Sequence, residues 1–364
     1  MHADIRHAYL AGLIDGDGYL KIPKSQKNGR AFYSIQVGIQ QLWPGEAVRL
    51  FAETFGGRVM KPMAWPGHRL IARCEVHTGK AEAALQSLLP YLLVKREQAL
   101  LLVDLRSIQE SPKRGSVTYS FPHRCGFPVI ISRRCFSPEQ LEDMESVRAE
   151  LIAIHEGRGG SRRSRGVRVM PLEDALARWR PEETLAYLAG VMDSDGNFRV
   201  VKKRVPRMLW PHYRINIRAA QVAPSPAIEL LAKTFGGNVT IRRARRPNLR
   251  DLVGWGLHDG RAAAAIKALY PYLVVKKHEA ELLLELLQLK AQGKKGLTEW
   301  VHPNRWHPAV TMRKRCYTKE QVAEFERIHR TVQALHSGST AADPSSYSLR
   351  PRFREGRQGI EAEA

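Results

Sequence analysis

An internal repeat constrains the fold of this chain more than any other feature of its sequence. Four blocks occur twice in the same order: YLAGLIDGDG returns as YLAGVMDSDG, EAVRLFAETFGG as PAIELLAKTFGG, LLPYLLVKREQALLL as LYPYLVVKKHEAELL, and RRCFSPEQL as KRCYTKEQV. The second copy of each block follows the first by 178 to 181 residues. This nearly constant spacing predicts two copies of one structural unit within a single chain.

The repeats set the predicted domain boundaries. The first repeat covers residues 1–155 and the second covers residues 181–335. Residues 156–180 begin with the Gly-, Ser- and Arg-rich segment EGRGGSRRSRGVR, which is typical of a flexible basic linker. Residues 336–364 are polar and charged, and their composition predicts a disordered tail.

The charge balance points to a polyanionic partner. The 364 residues include 58 Lys and Arg but only 36 Asp and Glu, which gives a formal net charge of +22. Such an excess favours nucleic acid first and a membrane surface second. No apolar run reaches the roughly 18 to 20 residues that span a bilayer, and the first residues resemble neither a signal peptide nor an anchor. Four cysteines favour an intracellular, reducing compartment such as a bacterial cytoplasm or an organelle matrix.

Hydrophobic periodicity predicts an α+β unit in each repeat. Apolar positions alternate along residues 32–41 and 69–76, so each of these strands has one buried and one polar face. The element order is α-β-β-α-β-β-α-α. The predicted ranges in the first repeat are a helix at 6–16, strands at 19–22 and 32–41, a helix at 46–55, a hairpin of 58–61 with 69–76, and helices at 79–89, 94–108 and 137–155.

Small residues in the two repeated motifs predict close packing between their helices. Gly12 and Gly16 are four residues apart, and Gly190 and Ser194 match them in the second repeat. Small residues at this spacing let two helix backbones approach closely. Two such helices, packed about a pseudo-twofold axis, would bring their C-terminal ends together.

Each of these helix ends carries an aspartate, Asp17 in the first repeat and Asp195 in the second. A carboxylate at a helix C-terminus meets the negative end of the helix dipole, and here it would also meet its twin. A divalent cation relieves this repulsion. Two carboxylates around hydrated magnesium are suited to phosphodiester hydrolysis, because the metal generates hydroxide and stabilises the leaving oxygen. The alternative role, a polar helix cap, is disfavoured at a C-terminus.

Both motifs resemble the signature of the LAGLIDADG homing endonucleases, and the resemblance extends over both repeats. It implies a monomeric, double-motif protein in which two αββαββα repeats pack through their motif helices and antiparallel sheets form a DNA-binding saddle. It also implies binding of a long asymmetric duplex DNA site, hydrolysis of one phosphodiester in each strand, and short 3′ overhangs. The implied cofactors are two or three Mg²⁺ ions shared between the motif aspartates, with Mn²⁺ able to substitute.

The resemblance also implies roles for individual residues. Metal ligation falls on Asp17 and Asp195 and on the residues before them, Gly16 and Ser194. Further catalytic roles fall on two glutamines that organise water and two lysines near the scissile phosphate; these residues are Gln41, Gln221, Lys95 and Lys276. Asp15 and Asp193 are weaker candidates, for which a structural role at the helix junction is favoured.

The polar sheet faces are predicted to read DNA, because a two-stranded ribbon fits the major groove. Solvation explains any single polar residue there, whereas the whole set in a +22 chain favours recognition. The two faces differ chemically, so an asymmetric target is expected. The candidates are Lys21, Ser34, Gln36, Arg69, Arg73 and Glu75 in the first repeat and Arg199, Arg214, Asn216, Arg218, Arg242 and Arg250 in the second.

Two other functions stay open at this point. One is an intron RNA maturase, and the other is a non-cleaving DNA-binding regulator on the same fold. Retention of both Asp17 and Asp195 favours the nuclease. Two motifs in one chain supply both halves of the interface, so we expect a monomer without an obligate protein partner.

Overall fold

The structure is a computed structural model. It describes residues 2–27, 30–42, 45–60, 70–112, 115–122, 128–156, 172–204, 211–244, 250–300 and 310–337. Among these residues, no helix is both long and apolar enough to cross a lipid bilayer.

The two repeats form corresponding series of elements, and the first repeat has two more strands before its second helix. The first repeat contains α1 (Ala3–Asp17), β1 (Gly18–Lys21), β2 (Lys24–Lys27), β3 (Arg30–Tyr33), β4 (Gln36–Leu42), α2 (Glu46–Phe55), β5 (Arg58–Met60), β6 (Ile71–His77), α3 (Thr78–Leu88), α4 (Arg96–Glu110), β7 (Gly115–Pro122), β8 (Pro128–Cys135) and α5 (Pro138–His155). After α6 (Leu172–Arg178), the second contains α7 (Pro181–Asp195), β9 (Gly196–Lys203), β10 (His212–Val222), α8 (Pro226–Phe235), β11 (Asn238–Arg242), β12 (Leu252–His258), α9 (Asp259–Leu269), α10 (Lys277–Ala291), β13 (Lys294–Trp300), β14 (Val310–Cys316) and α11 (Lys319–Ser337).

Each repeat has a four-stranded antiparallel sheet. The strand order is β1-β4-β6-β5 in the first repeat and β9-β10-β12-β11 in the second. The registers correspond, since Tyr19 pairs with Gly38 and Gly38 with Glu75, while Asn197 pairs with Arg218 and Arg218 with Gly256. The α+β class and the antiparallel sheets predicted from the sequence are therefore confirmed.

Helices α1 and α7 pack against each other in the centre of the molecule. A Cβ atom added at Gly12 would overlap the carbonyl oxygen of Tyr187, and one added at Gly190 would overlap that of Tyr9. The two backbones are thus in direct contact at reciprocal positions, as the small-residue spacing predicts. Both helices are almost entirely buried along their last three turns, so one hydrophobic core includes residues from both repeats.

Gly18 follows α1 without the turn that commonly ends a helix. Its backbone is extended, with φ −78° and ψ 166°, and the left-handed conformation common after helices is not used. Glycine is required there for space, because a Cβ would lie 2.6 Å from the Cα of Ile14. The chain therefore passes directly from the helix into strand β1, which fixes where Asp17 lies.

Several elements differ from the sequence prediction. The run predicted as one strand at 32–41 is divided into β3 and β4, and the polar loop before it pairs as the ribbon β2–β3. The ribbons β7–β8 and β13–β14 were not predicted at all. Leu70, an apolar position of the strand predicted at 69–76, precedes β6 and is exposed. Its neighbours Ala72, Cys74 and Val76 are buried as predicted.

Part of the predicted flexible linker is helical. Helix α6 buries Ala175, and the Trp179 ring packs between the rings of Tyr91 and Tyr187. The Trp179 indole donates to the carbonyl of Pro90 at 3.1 Å. These contacts fix residues 172–179 against the two repeats. Residues 157–171 lie outside the described part of the chain. Helix α11 continues into the predicted tail as far as Ser337, and the rest of the tail is also outside the described residues.

Candidate active site

The last residues of α1 and α7 place Asp17 and Asp195 together at one end of the helix pair. Burial raises the pKa of Asp17, and the nearby Asp195 carboxylate raises it further. Burial also raises the pKa of Asp195. Two partly buried carboxylates at the negative ends of two helix dipoles are unfavourable in the free protein. The site is therefore built to accept positive charge.

One glutamine contacts each of these aspartates. Gln41, at the end of β4, lies beside the Asp17 carboxylate and lowers its pKa. Gln221, at the matching place in β10, donates from Nε2 to Oδ2 of Asp195 at 2.7 Å. Both glutamine side chains are buried, so the structure brings this predicted pair into the centre as the sequence suggested.

Both lysines lie beneath the helix ends. The Lys95 ammonium donates to the carbonyl oxygens of Ile14, Gly16 and Gly18 at 2.7 to 2.8 Å. The Lys276 ammonium donates to the equivalent end of α7, at Met192, Asp193 and Ser194.

Since an ammonium has three donors, each lysine uses all of them on carbonyl groups. The expectation of a lysine directed at the scissile phosphate is not met in this conformation. Each lysine stabilises a helix C-terminus and lowers the pKa values of Asp17 and Asp195 by its charge.

The outer motif aspartates hold the helix ends in place. Asp15 accepts hydrogen bonds from the backbone N–H groups of residues 93–95 at 2.8 to 3.1 Å, and Asp193 accepts from those of residues 274–276. The fourth donor in each case is a tyrosine from the other repeat, Tyr187 to Asp15 at 2.7 Å and Tyr9 to Asp193 at 2.8 Å. Sequence reasoning missed both tyrosines, although each opens a repeated YLAG block.

The donor set fits a hard divalent cation. Besides the two carboxylates, the backbone passes close to the opposite motif, because a Cβ at Gly16 would overlap the Ser194 side chain and lie 2.8 Å from Oδ2 of Asp195. Gly16 offers only its carbonyl oxygen. The Oε1 atom of Gln41 is buried and has no hydrogen-bond partner among the described residues. These are all oxygen donors, as Mg²⁺ and Ca²⁺ prefer. The described residues contain no group of three or more His, Cys, Asp or Glu side chains that could hold a metal alone.

The recognition candidates of the first repeat form a connected network. Tyr19 donates to Oε1 of Glu75 at 2.5 Å and accepts from Nε of Arg73 at 2.7 Å, while Arg73 also forms an ion pair with Glu75. The Lys21 ammonium lies 4.6 Å from the centroid of the Tyr19 ring. Ser34 lies between β3 and β4 and is half-buried. Arg69 is outside the described residues.

The second repeat presents more exposed cationic side chains. Arg199, Arg218 and Arg242 are exposed on β9, β10 and β11. Arg214 is also exposed and donates from Nε to Oδ2 of Asp259 at 2.7 Å. Arg250 differs from its expected place on a strand.

Arg250 instead precedes β12. Its Nη2 donates to the carbonyl oxygen of His155 at 2.6 Å and to that of Ile154 at 3.3 Å, at the end of α5 in the first repeat. It therefore joins the two repeats.

Three polar candidates are not exposed as predicted. Gln36 is 7% exposed and Asn216 is 4% exposed. In the sheet registers each is paired with a basic residue on one side and a histidine on the other: Lys21 and His77 flank Gln36, and Arg199 and His258 flank Asn216. Directly opposite side chains on a sheet lie within contact distance, so longer neighbours cover the shorter central residue. The third is Glu75, whose side chain is 8% exposed beneath its ion-pair partners.

Two α+β repeats pack through central helices that end in facing aspartates. This arrangement defines the fold class of the protein. The chain has the fold of the monomeric, double-motif LAGLIDADG homing endonucleases, as the motif resemblance implied. The solved structure of I-SmaMI bound to an uncleaved DNA target in the presence of calcium ions aligns with 90% of this chain and 98% of that chain, with a TM-score of 0.59 and 12% identity. I-AabMI bound to uncleaved DNA covers 89% and 98%, with a TM-score of 0.58 and 13% identity.

I-GzeII in complex with a DNA target covers 89% of this chain and 97% of that chain, with a TM-score of 0.56 and 12% identity. No protein-family model and no curated protein matches the sequence. The identities are low, so these structures show the shared fold, and the remaining functional argument rests on the residues of this chain.

Proposed function

We propose that this protein is a site-specific DNA endonuclease that binds a long asymmetric duplex and hydrolyses one phosphodiester in each strand with divalent metal, leaving short 3′ overhangs. The observation that carries the proposal is the pairing of Asp17 and Asp195 at two helix C-termini, where burial and mutual repulsion raise the Asp17 pKa. A structural pair of acids would be selected against in this position, whereas a metal-binding pair requires it.

The metal is proposed to be Mg²⁺, in two or three ions shared between the repeats, with Mn²⁺ able to replace it. Asp17 and Asp195 would hold it together with the carbonyl oxygens of Gly16 and Ser194, once Lys95 and Lys276 release these oxygens. When bound, such an ion supplies hydroxide at neutral pH and stabilises the leaving oxygen. The I-SmaMI structure that shares this fold was solved bound to uncleaved DNA in the presence of calcium ions, which supports dependence on a divalent metal.

The other central residues would prepare the site for this chemistry. Gln221 orients the Asp195 carboxylate by donating to it, and Gln41 lies beside the Asp17 carboxylate. Both amides would organise water near the metal. The ammonium groups of Lys95 and Lys276 offset the two negative charges until the metal and the DNA phosphates arrive. Release of one carbonyl oxygen would free an N–H of either lysine for a phosphate.

Duplex DNA is the proposed partner. The net charge of +22 would attract the protein to phosphate groups. Each of the two separate sheet faces would recognise a different half-site. The solved structures of I-SmaMI, I-AabMI and I-GzeII each contain DNA. Because both repeats belong to one chain, residues 1–155 and 181–335 would each read one half-site within a monomer, joined by the basic linker 156–180.

Selection of cleaved molecules from a randomised duplex pool with Mg²⁺ tests the proposal and identifies the site. We expect Asp17→Asn and Asp195→Asn each to abolish double-strand cleavage of the selected site while binding stays within about three-fold of the wild type. Asp104→Asn, an exposed aspartate on α4, is the matched control and should cleave normally. Binding without metal-dependent cleavage by the wild type would favour the regulator, and preference for RNA over duplex DNA would favour the maturase.

A further inference from the structure

An exposed pair of aliphatic side chains lies at one end of each four-stranded sheet. In the first apolar pair, Leu42 on β4 is directly opposite Ile71 on β6. In the second apolar pair, Val222 on β10 is directly opposite Leu252 on β12. All four residues are between 36% and 49% exposed. The residue types differ between the repeats while the apolar character is the same, which indicates that these positions require apolar surface.

The first apolar pair lies on the outer face of its sheet. Successive residues of a strand point to opposite faces. Gln41 and Ala72 are buried, so Leu42 and Ile71 share the outer face with Arg73. This is the face that carries the predicted recognition residues of the first repeat.

The second apolar pair has the same arrangement. Gln221 and Val253 are buried, so Val222 and Leu252 share the outer face with Arg218. Both pairs are therefore continuous with the surfaces for which we propose DNA recognition, although none of their four residues was a recognition candidate from the sequence.

Each apolar pair is at the end of its sheet nearest to the paired aspartates. Leu42 directly follows Gln41, which lies beside the Asp17 carboxylate. In the second repeat, Val222 directly follows the glutamine that donates to Asp195 at 2.7 Å. On a bound duplex, each pair would face base pairs close to the scissile phosphates and would form the inner end of one half-site.

An aliphatic side chain has one suitable partner in the major groove of DNA. The base edges there present hydrogen-bond donors, acceptors and a single kind of apolar group, the C5 methyl group of thymine. Contact with a phosphate would instead remove water from a charge without replacing its hydrogen bonds. The base 5-methylcytosine carries the same methyl group at the same ring position.

We propose that the two apolar pairs are specificity-determining residues that recognise a C5-methyl pyrimidine at the inner end of each half-site. In ordinary DNA this base is thymine. The inference rests on the proposed DNA-binding function and deepens it, because it names the base that each pair selects.

The strand register predicts where these methyl groups lie. Residues two apart on an antiparallel strand are separated by about 6.8 Å, which equals two base-pair steps of about 3.4 Å. The methyl group that faces Ile71 should lie about two base pairs inward of the position read by Arg73. The methyl group that faces Val222 should lie about four base pairs inward of the position read by Arg218.

Replacement of thymine by deoxyuridine in the selected duplex tests the inference, because it deletes only the methyl group. At the inner thymine of each half-site, this replacement should weaken equilibrium binding about four-fold, which corresponds to burial of one methyl group. The same replacement in flanking DNA outside the site is the control and should have no effect. At the inner position, 5-methylcytosine should bind about four-fold more tightly than cytosine.

Variants of the protein show which pair recognises which methyl group. The double variant Leu42→Ala, Ile71→Ala should bind thymine and deoxyuridine duplexes equally in the first half-site and keep the wild-type discrimination in the second. The double variant Val222→Ala, Leu252→Ala should show the reciprocal result. A purely structural role would weaken binding of both duplexes alike and leave their ratio unchanged.

The matched control removes two exposed aliphatic side chains from the other face of a sheet. Val239 and Ile241 on the edge strand β11 are 47% and 68% exposed, but they lie opposite the buried Trp255 and Val253. The double variant Val239→Ala, Ile241→Ala should keep the wild-type ratio of binding to thymine and deoxyuridine duplexes in both half-sites.

Several outcomes would overturn the inference without touching the nuclease. These are equal binding of thymine and deoxyuridine duplexes by the wild type in either half-site, wild-type discrimination in the two double variants of the apolar pairs, no gain from 5-methylcytosine over cytosine, and selected sites without thymine at the inner positions. In each case, metal-dependent cleavage of the selected duplex would still support the proposed function. Failure to bind any selected duplex would defeat the proposed function and this inference together.

Discussion

The two sheet faces have the same backbone register but the opposite placement of large side chains. Across the first sheet, Tyr19, Gly38 and Glu75 lie side by side on β1, β4 and β6. Across the second, the equivalent row is Asn197, Arg218 and Gly256. The glycine lies between the other two residues in the first row and at one end of the row in the second.

Each glycine makes room for a specific neighbour. A Cβ at Gly38 would overlap the ring of Tyr19, and one at Gly256 would lie 3.1 Å from Cγ of Arg218. In the first sheet the polar groups therefore converge on Glu75 and neutralise one another. In the second sheet Arg218 is exposed and forms no ion pair with any residue in the described part of the chain.

Under the proposed function, this difference would give two modes of DNA recognition on one scaffold. The guanidinium of Arg73 is fixed in advance by Tyr19 and Glu75, so its direction is set but its charge is already partly compensated. Arg218 keeps its full charge and its donors for a base edge or phosphate. A duplicated fold can thus read two unlike half-sites without any change in strand order.

The largest effect is expected from Arg218→Ala. Loss of an uncompensated guanidinium that contacts guanine should cost about 1 to 3 kcal/mol at one or two base positions. Arg73→Ala should cost less, because that side chain must first leave Glu75. Binding constants for every single-base variant of the selected site measure both effects. If the two substitutions weaken all variants evenly, the sheets are not the reading surfaces.

A smaller effect is expected from Glu75→Gln, which removes the compensating charge beneath Arg73. Affinity for DNA should rise, typically by less than about 1 kcal/mol for such a partly exposed pair, and the salt dependence of binding should steepen. The equilibrium dissociation constant measured across a series of salt concentrations tests this. Glu53→Gln, at a carboxylate on α2 away from the sheet face, is the control. An unchanged or weaker affinity in Glu75→Gln would show that Arg73 does not approach the phosphates.

The smallest effect concerns the stability of the metal-free protein. The folded pKa of Asp17 is raised, so ionisation of this group destabilises the fold, and the penalty is complete only above the folded pKa. Asp17→Asn should therefore raise the melting temperature at pH 7 by roughly 1 to 3 °C. The gain should vanish below the unfolded pKa of about 3.9, where Asp17 is neutral in both states. A lower melting temperature of Asp17→Asn at pH 7 would show that the lysines, and not a metal, compensate the negative charge of Asp17.

The repeat, the fold class and the position of the paired aspartates followed directly from the sequence. Periodicity located the helices because their apolar faces are long, and it located the inward residues of β6 because they alternate without interruption. The ribbon β7–β8 was not predicted, although Val117, Tyr119 and Phe121 alternate with polar residues along its first strand. The linker helix α6 was missed because its packing depends on one residue, Trp179, that contacts both repeats.

The parts of the site that were missed all depend on contacts between distant segments. The reciprocal bonds of Tyr9 and Tyr187 exist only because α1 and α7 cross about a pseudo-twofold axis. The burial of Gln36 and Asn216 depends on cross-strand partners whose register no single strand reveals. Both lysines cap the helix ends because the loops before α4 and α10 return to the ends of α1 and α7. The sequence alone does not show where those loops return.

The most direct test of the central claim is the anomalous scattering of Mn²⁺ in crystals of the protein bound to its selected DNA site. We expect anomalous density between the carboxylates of Asp17 and Asp195, close to the scissile phosphates of both strands, and no such density in the Asp17→Asn complex. Bound DNA with no anomalous density between those carboxylates, and with both lysines still in contact with the helix ends, would contradict a metal centre at the paired helices.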